Sequence, residues 1–390
     1  MKVLQIVKTN EGANWAFNQA KWLHDNGVEI ITVLPEINGG MAEKYKEYGM
    51  KLEKADFSLP VSKPWKINKK SKSIREIVKR IQPDLIHSHF VTNTMMLRIA
   101  LKSIEIPRLF QVPGPLHLES KLFRKAEIYL SNSNDYWAAA CKKTRNIYLD
   151  AGIPKERTFL AYYGGYGGDS CDEYEEASNI LHDEYNISSD KILVGMVSYF
   201  YKPKVHMLQF RGLKGHEDFI DAISMARQSE PRIMGVIIGD AWGSSSRYVQ
   251  KVKKYAQKKC GNNIIFTGFR NDMKKIYREL DVAVHPSHSE NLGGAAESLA
   301  AGIPTISTNV GGFPDIVINN QTGYTVNPKS PKELADAIIK TINSHIESRR
   351  MAFAGHELVR EMLDIKSTSE NILEIYNNIL SYGNVGEKNV

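Results

Sequence analysis

Residues 286–304 read PSHSENLGGAAESLAAGIP and follow a short apolar run at 282–284. The apolar run predicts a buried strand, and the small residues from Gly293 onward predict a helix that begins beyond the carboxyl end of that strand. A helix N-terminus carries partial positive charge, and glycines let its backbone N–H groups come close to a ligand. This stretch therefore predicts an anion-binding site that suits a diphosphate.

Two carboxylates bracket this predicted site. Glu290 precedes the helix start and Glu297 lies within the helix. Carboxylates in these positions can accept hydrogen bonds from sugar or ribose hydroxyls, so the pattern favours a sugar nucleotide as the ligand. The residues alone leave a structural alternative open, in which Glu290 caps the helix and Glu297 is a solvated helix residue.

Short apolar runs alternate with amphipathic stretches on both sides of residues 286–304. This rhythm predicts an α/β fold with two doubly wound, mostly parallel sheets, whose ligands collect beyond the carboxyl ends of strands and in the cleft between the halves. The predicted strands are 3–7, 28–34, 85–89, 109–112 and 137–140 in the first half, and 192–197, 233–239, 264–266, 282–284 and 304–307 in the second.

The length of 390 residues predicts two large domains, at roughly 150 residues per domain. Residues 1–165 form the predicted first domain and residues 191–366 the second. The segment between them, 166–190, is rich in Gly, Asp, Glu and Ser, as is typical of a linker. The last sixty or so residues have helical patterns.

The composition excludes several classes of protein. Hydrophobic residues make up 42% and charged residues 24%, which are ordinary globular values and do not fit a disordered, collagen-like or membrane-spanning chain. The apolar run at 3–7 is too short for a signal peptide. Cys141, Cys171 and Cys260 form no CxxC pair, which argues against a disulfide framework or a zinc site and favours the cytoplasm.

Several catalytic motifs do not occur in the sequence. It contains no GxxxxGK[ST] phosphate loop, no HExxH helix, no GxSxG elbow and no Asp-x-Asp pair. The run GGYGG at 164–168 leads into an acidic, helix-poor stretch. A dinucleotide fingerprint requires a helix directly after its glycines, so a flexible turn between domains is the better interpretation of this run.

Residues 286–304 resemble the donor-binding motif of the retaining glycosyltransferases of family GT4, which have the GT-B fold of two Rossmann-like domains. In that family one Glu precedes a second by eight positions, and the second opens a stretch similar to ESLAAG at 297–302, followed by one similar to VGGFPD at 310–315. The chain departs from this spacing, because Glu290 lies seven positions before Glu297. A shorter turn at the two glycines would bring the Glu290 carboxylate into place.

The stretch GLKGH at 212–216, preceded by Gly195, is similar to the family segment in which a basic pair grips the donor diphosphate. Lys214 supplies one member of this pair. Met196 stands where the family usually has Arg, and an insertion runs from 199 to 211. Either Arg211 or Lys204 could supply the missing charge, and the sequence does not choose between them.

Other segments match the family in order and spacing over nearly the whole chain. The resemblance implies donor contacts from the loops at 237–240, 266–270 and 291–294, a glycine turn near the sugar, and a histidine that faces the sugar. The residues implied are Gly12, Ala13, His117, Gly239, Asp240, Phe269, Arg270, Asn291, Leu292, Gly293 and Gly294. His87 and His89 are expected to be core or supporting residues.

The resemblance implies a retaining, metal-independent transferase with catalytic roles for His117, Glu290, Lys214 and Arg211. The expected donor is a nucleoside-diphosphate sugar, most often a UDP-sugar, and no further cofactor is expected. The acceptor would be a glycan, a lipid-linked or a small molecule in the synthesis of cell-surface polysaccharide or glycoconjugate. The chain's end, from about residue 367, would return to the first domain.

The segment 63–80 concentrates positive charge, with Trp65 among the cations and Glu76 as the only acid. It is either a solvated surface or a patch that contacts anionic lipid headgroups on the inner face of the membrane. Nucleic acid is not expected as a partner, because no nucleic-acid-binding motif accompanies the charge. The cations are Lys63, Lys66, Lys69, Lys70, Lys72, Arg75, Lys79 and Arg80.

Two other functions remain open on the sequence. Non-hydrolysing sugar-nucleotide epimerases share the two-domain fold, and fold alone does not determine function. The chain could also be a non-catalytic basic protein that binds membrane or glycan.

Overall fold

The computed structural model describes residues 1–165, 179–203 and 209–386, with side chains up to residue 381. Contacts divide the chain into two compact units, Met1–Gly165 with Met362–Val390, and Tyr166–Glu361. Each unit contains a parallel sheet with helices packed on its faces. The predicted α/β class with two doubly wound halves is confirmed. Lys204 and residues 166–178 of the predicted linker lie outside the described residues.

The first unit is built on a seven-stranded parallel sheet in the order β3-β2-β1-β4-β5-β6-β7. The strand order reverses between β1 and β4, so the loops after these two strands diverge at the carboxyl edge of the sheet. The strands are β1 (Lys2–Ile6), β2 (Glu29–Leu34), β3 (Lys51–Lys54), β4 (Leu85–Ser88), β5 (Arg108–Val112), β6 (Asp135–Ala139) and β7 (Thr158–Leu160).

Within the described residues of this unit, seven α-helices pack on the sheet. One face packs against α1, α2 and α15, where Ala16, Ile372 and Tyr376 share a buried cluster with Val3 of β1. On the opposite face, side chains of α3 and α4 form a second buried cluster with Ile86 of β4. The helices are α1 (Asn14–Asp25), α2 (Met41–Glu47), α3 (Ile67–Ile81), α4 (Val91–Ala100), α5 (Lys121–Tyr129), α6 (Lys142–Asp150) and α15 (Ile365–Gly386).

The second unit has a six-stranded parallel sheet in the order β10-β9-β8-β11-β12-β13. Its central strand reads ILVGMV and is buried along most of its length, as expected of a strand covered on both faces. The order reverses between β8 and β11. The strands are β8 (Ile192–Val197), β9 (Ile233–Ile238), β10 (Ile264–Gly268), β11 (Val282–His285), β12 (Thr305–Thr308) and β13 (Tyr324–Val326).

The reversal between β8 and β11 positions the candidate site, because the loops after these strands open on the same crevice at the carboxyl edge. No helix of the described ranges is long and apolar enough to cross a bilayer. The helices are α7 (Ile180–Tyr185), α8 (His216–Ala226), α9 (Ser246–Cys260), α10 (Met273–Glu279), α11 (Gly293–Ala300), α12 (Phe313–Ile316), α13 (Pro331–Asn343) and α14 (His345–Met362).

Candidate functional site

Lys214 lies in the loop between β8 and α8, held against the loop that follows β11. Gly215 has a φ of 76°, and a Cβ there would lie 2.1 Å from the carbonyl oxygen of Pro286. The backbone N–H of His288 also donates to the carbonyl of Leu213 at 2.8 Å. Glycine at position 215 thus permits the close approach that brings Lys214 to the second loop.

Glu290 forms an ion pair with Lys214 from the loop after β11. A third loop supports it: Gly312 donates its N–H to the carbonyl of Glu290 at 3.3 Å. A Cβ at Gly311, where φ is 56°, would lie only 1.6 Å from that same carbonyl oxygen. Glycine at position 311 is therefore required for the position of Glu290.

The Lys214–Glu290 pair is mostly removed from solvent, with side-chain exposures of 18% and 16%. Burial opposes the charge on Lys214, but the neighbouring Glu290 carboxylate outweighs it and raises the pKa of the lysine. Lys214 is consequently a cation at neutral pH. In this structure the Lys214 ammonium is paired with the Glu290 carboxylate.

Glu297 lies on α11, one turn beyond the glycines that open this helix. The Tyr277 hydroxyl donates to its Oε2 at 3.1 Å. Burial raises the pKa of Glu297, Glu290 raises it further, and Tyr277 and Lys214 oppose the shift. A polar partner that favours the charged form would therefore stabilise Glu297, and a ligand hydroxyl is such a partner.

These groups line one cavity of about 280 Å³ in the second unit. Aromatic side chains form part of its wall, and Phe269 is 57% exposed. The predicted site residues that line the cavity are Lys214, Gly239, Phe269, Arg270, Glu290, Gly293, Gly294 and Glu297. Eight of the predicted site residues therefore lie around one cavity of the folded protein.

Other predicted residues of the second unit do not line this cavity. The guanidinium of Arg211 pairs with the carboxylates of Asp218 and Asp221 on α8, so its charge is already compensated. Asp240 is exposed and accepts a hydrogen bond from the N–H of Ala241 at 2.6 Å. Asn291 and Leu292 lie in the loop before α11 without reaching the cavity wall.

The predicted residues of the first unit lie at the carboxyl edge of its sheet. Gly12 has a φ of 68°, and Ala13 directly precedes α1 and is buried. His117 follows β5, and its Nε2 lies 3.4 Å from the Tyr148 hydroxyl. Burial lowers the pKa of His117 to about 4, so the imidazole is neutral at pH 7 and can orient a hydroxyl without carrying charge.

The residues of the cavity wall that sequence reasoning did not assign to the site include Tyr199, Tyr201 and His285. His285 ends β11, and its Nε2 lies 2.9 Å from the Ser298 hydroxyl. Burial lowers the pKa of His285 to about 3, which keeps it neutral. A histidine at the end of an apolar strand was a visible signal. The two tyrosines lie in the insertion, for which the family resemblance provides no assignment.

The arrangement combines a lysine, the N-terminal amides of a helix opened by two glycines, and two carboxylates. Lysine and helix amides suit the phosphate oxygens of a ligand, and carboxylates suit its hydroxyls. Among the described residues, no group of three or more His, Cys, Asp or Glu side chains could hold a metal ion.

The comparisons with known proteins agree with this chemistry. A family profile described as glycosyl transferases group 1 matches residues 204–357, and one described as glycosyltransferase family 4 matches residues 12–164. The capsular polysaccharide biosynthesis glycosyltransferase CapM of Staphylococcus aureus is 23% identical over 282 residues, which cover 70% of each chain. A glycogen synthase of Mycobacterium tuberculosis is 27% identical over 42% of this chain and 39% of that enzyme.

Among solved structures, HepE of Anabaena in complex with UDP aligns with a TM-score of 0.79 at 19% identity. The alignment covers 97% of this chain and 100% of HepE, which shows a shared fold. Together the two family profiles cover β2 to β7 of the first sheet and β9 to β13 of the second. The chain belongs to the GT4-type glycosyltransferases of the GT-B fold, and it is a transferase of this family.

Proposed function

We propose that this protein is a retaining glycosyltransferase that uses a nucleoside-diphosphate sugar, with UDP as the nucleotide. The observation that carries the proposal is the placement of Lys214 beside the glycine-opened N-terminus of α11, with Glu290 and Glu297 on either side. HepE, which shares the fold, has been crystallised with UDP-glucose. That relative supports UDP as the first nucleotide to test.

In the proposed reaction, the bond between the anomeric carbon and the β-phosphate oxygen breaks, and its electron pair stays with the diphosphate. The acceptor oxygen bonds to the anomeric carbon from the same face, and its proton passes to a phosphate oxygen. Negative charge therefore develops on the leaving group. Lys214 and the amides of Gly293 and Gly294 would stabilise this charge, as preorganised donors do in other enzymes.

The two carboxylates have separate proposed roles. Glu297 accepts hydrogen bonds from the ribose, because its burial leaves it in need of donors. Glu290 contacts the transferred sugar. For the first unit, the proposed role of neutral His117 is to orient a sugar hydroxyl. Gly239, Phe269 and Arg270 contribute to the surface on which the base rests.

Binding and turnover test the proposal together. Titration calorimetry should detect UDP binding to the wild type, and release of UDP from the matching UDP-sugar should depend on an added acceptor. Conversion of the UDP-sugar to its epimer, without an acceptor and without net release of UDP, would indicate the epimerase alternative, although the family match favours transfer. A protein that binds none of UDP, GDP and ADP would be a non-catalytic member.

For the acceptor, we propose a glycan or lipid-linked molecule of cell-surface glycoconjugate synthesis, a role that the name of CapM supports. Peripheral contact with an anionic membrane would bring the enzyme to such an acceptor. In the first unit, α3 and α5 pack on the same face of the sheet, on either side of α4, whose Arg98 contacts Glu127 of α5. Leu122 and Tyr129 of α5 are 78% and 88% exposed.

Ion pairs within the protein compensate part of the charge on α3. Lys70 pairs with Asp56 at 2.6 Å and Arg80 with Glu53 at 2.8 Å. Uncompensated cations beside exposed apolar side chains are typical of helices that lie on anionic membranes. The proposed contact therefore depends on α3 and α5 together rather than on 63–80 alone.

Vesicle sedimentation tests the membrane contact. Replacing four lysines with Ser, one directly before α3 and three within it, should release the protein from phosphatidylglycerol vesicles at low salt and leave UDP binding unchanged. Removing four lysines of α9, in the other unit, is a matched control that should leave vesicle binding in place. Wild-type protein that ignores such vesicles would refute the contact. The test set is Lys66, Lys69, Lys70 and Lys72, and the control set is Lys251, Lys253, Lys254 and Lys258.

A further inference from the structure

Few cationic side chains of the described residues line the cavity and could neutralise the charge of a diphosphate leaving group. Of the described residues that line it, two are cationic, Lys214 and Arg270. Arg270 pairs with Glu184 at 2.6 Å and with Asp272 at 2.7 Å. Met196, at the position where a second cation was expected, is buried and apolar. Among the described residues, Lys214 and the amides of Gly293 and Gly294 are thus the groups suited to the phosphates, and a further hydrogen-bond donor would add to them.

Tyr201 lies beside Lys214 in this cavity. The lysine Nζ is 5.7 Å from the centroid of the tyrosine ring. Burial raises the pKa of Tyr201, Lys214 opposes the shift and Glu290 adds to it, so the phenol stays protonated at neutral pH. None of the described residues hydrogen-bonds its hydroxyl. A protonated hydroxyl near the Lys214–Glu290 pair is thus available to donate to a ligand.

The backbone on both sides of Tyr201 is fixed to the segment that follows β9. Phe200 donates its N–H to the carbonyl of Asp240 at 2.9 Å, and Trp242 donates to the carbonyl of Phe200 at 3.1 Å. After the tyrosine, the N–H of Lys202 donates to the Ser245 hydroxyl at 3.2 Å. These bonds hold the tyrosine in place before any ligand arrives, which reduces the entropic cost of binding.

The approach of these two segments depends on Gly239. Its φ is 135°, and a Cβ there would lie 2.1 Å from the carbonyl oxygen of Ser198. The ring of Trp242 lies 6.1 Å from the ring of Tyr201 and supports it from the side. The insertion thus begins as an ordered extension of the sheet rather than as an unsupported loop.

We propose that Tyr201 is a donor-binding residue whose hydroxyl donates a hydrogen bond to the diphosphate beside Lys214, on a wall where the described residues place no second unpaired cation. This inference rests on the proposed function, since it assigns one residue within the same site. A neutral hydroxyl at this position can donate a hydrogen bond to a phosphate oxygen without adding positive charge to the site. It also explains why the insertion directs a tyrosine, not an apolar residue, at this wall.

The Tyr201→Phe variant tests the proposal, because it removes the hydroxyl and keeps the ring. Calorimetry should show UDP binding weakened about tenfold, which corresponds to about 1.4 kcal/mol, with uridine binding unchanged. Tyr48→Phe is the matched control: this tyrosine of the first unit donates to Asp25 and should leave both affinities unchanged. Equal melting midpoints would show that all three proteins are folded.

Each other outcome has a defined meaning. Unchanged UDP affinity in Tyr201→Phe would overturn the proposal. Equal weakening of UDP and uridine would also overturn it, because the residue would then support the base and not the phosphates. A wild type that binds neither UDP, GDP nor ADP would instead refute the proposed function. The two failures are therefore distinguishable from the same set of titrations.

Discussion

Glu290→Gln should change nucleotide binding and turnover in opposite directions. In the structure the ammonium of Lys214 is already paired with the Glu290 carboxylate, and Asn291 donates its N–H to the other oxygen of Glu290 at 3.1 Å. A diphosphate that binds Lys214 must share or displace this partner. Glutamine has nearly the same shape but no charge, so it would hold the lysine less tightly.

The magnitude follows from the environment of the pair. A hydrogen bond to a charged group contributes about 1.5–3 kcal/mol, and the solvent that still reaches both side chains reduces this. The gain should be near 1 kcal/mol, which predicts UDP affinity about fivefold higher than in the wild type. Loss of the proposed contact with the sugar should nevertheless lower turnover by about a hundredfold.

The assay pairs calorimetry with UDP against the rate of UDP release from the donor that the wild type uses. Glu347→Gln on α14, where an exposed Glu347 pairs with Arg350, is the control and should change neither quantity. Weaker or unchanged UDP binding in the folded Glu290→Gln protein would refute the reasoning. It would mean that Glu290 does not compete with the phosphates for Lys214.

Other perturbations separate the remaining roles. Lys214→Ala should lower turnover more than it weakens binding of uridine, and equal losses would indicate a general binding role. Glu297→Gln should weaken donor binding by about 1.5–3 kcal/mol, measured by calorimetry, and unchanged affinity would remove its assignment to the ribose. Activity should persist in EDTA, and loss that Mg²⁺ restores would contradict the metal-independent mechanism. Burial lowers the pKa of five histidines, so the unfolded chain binds more protons below pH 6.5 and stability should fall by about 1.4 kcal/mol per histidine for each pH unit toward pH 5. A melting midpoint that does not fall over this range would contradict that expectation. The histidines are His87, His89, His117, His216 and His285.

The sequence predicted every central strand of both sheets and missed three strands at the edges. β3 reads KLEK, and β7 and β13 have three residues each, TFL and YTV. A strand in the middle of a parallel sheet is buried on both faces and reads as a continuous apolar run. An edge strand needs no such run, because one of its sides stays open to solvent or to loops. Apolar pattern alone therefore could not reveal these three segments.

The candidate site also contains residues that the sequence predicted and residues that it could not assign. Residues 286–304 predicted an anion-binding site because small residues follow a buried strand, and the structure does place the start of α11 at Gly293. The role of Arg211 could not be judged from its position in the chain, since Asp218 and Asp221 compensate its charge only once α8 has formed one turn beyond it. The helical spacing of Asp218 and Asp221 was visible in the sequence. Whether Arg211 pairs with these acids or with a phosphate depends on distances that only the structure gives.

The sequence did not identify Tyr201 as a site residue, for a related reason. The position of Tyr201 depends on Gly239, which lies 38 residues later in the chain. Gly239 lets the chain after β8 continue beside the segment after β9. A tyrosine in an insertion carries no periodic signal, and only the pairing of the two segments shows that its ring lies beside Lys214. In the proposed arrangement, Met196 near the end of β8 brings no charge to the phosphates, and the segment that follows this strand supplies a hydroxyl donor, Tyr201, beside Lys214.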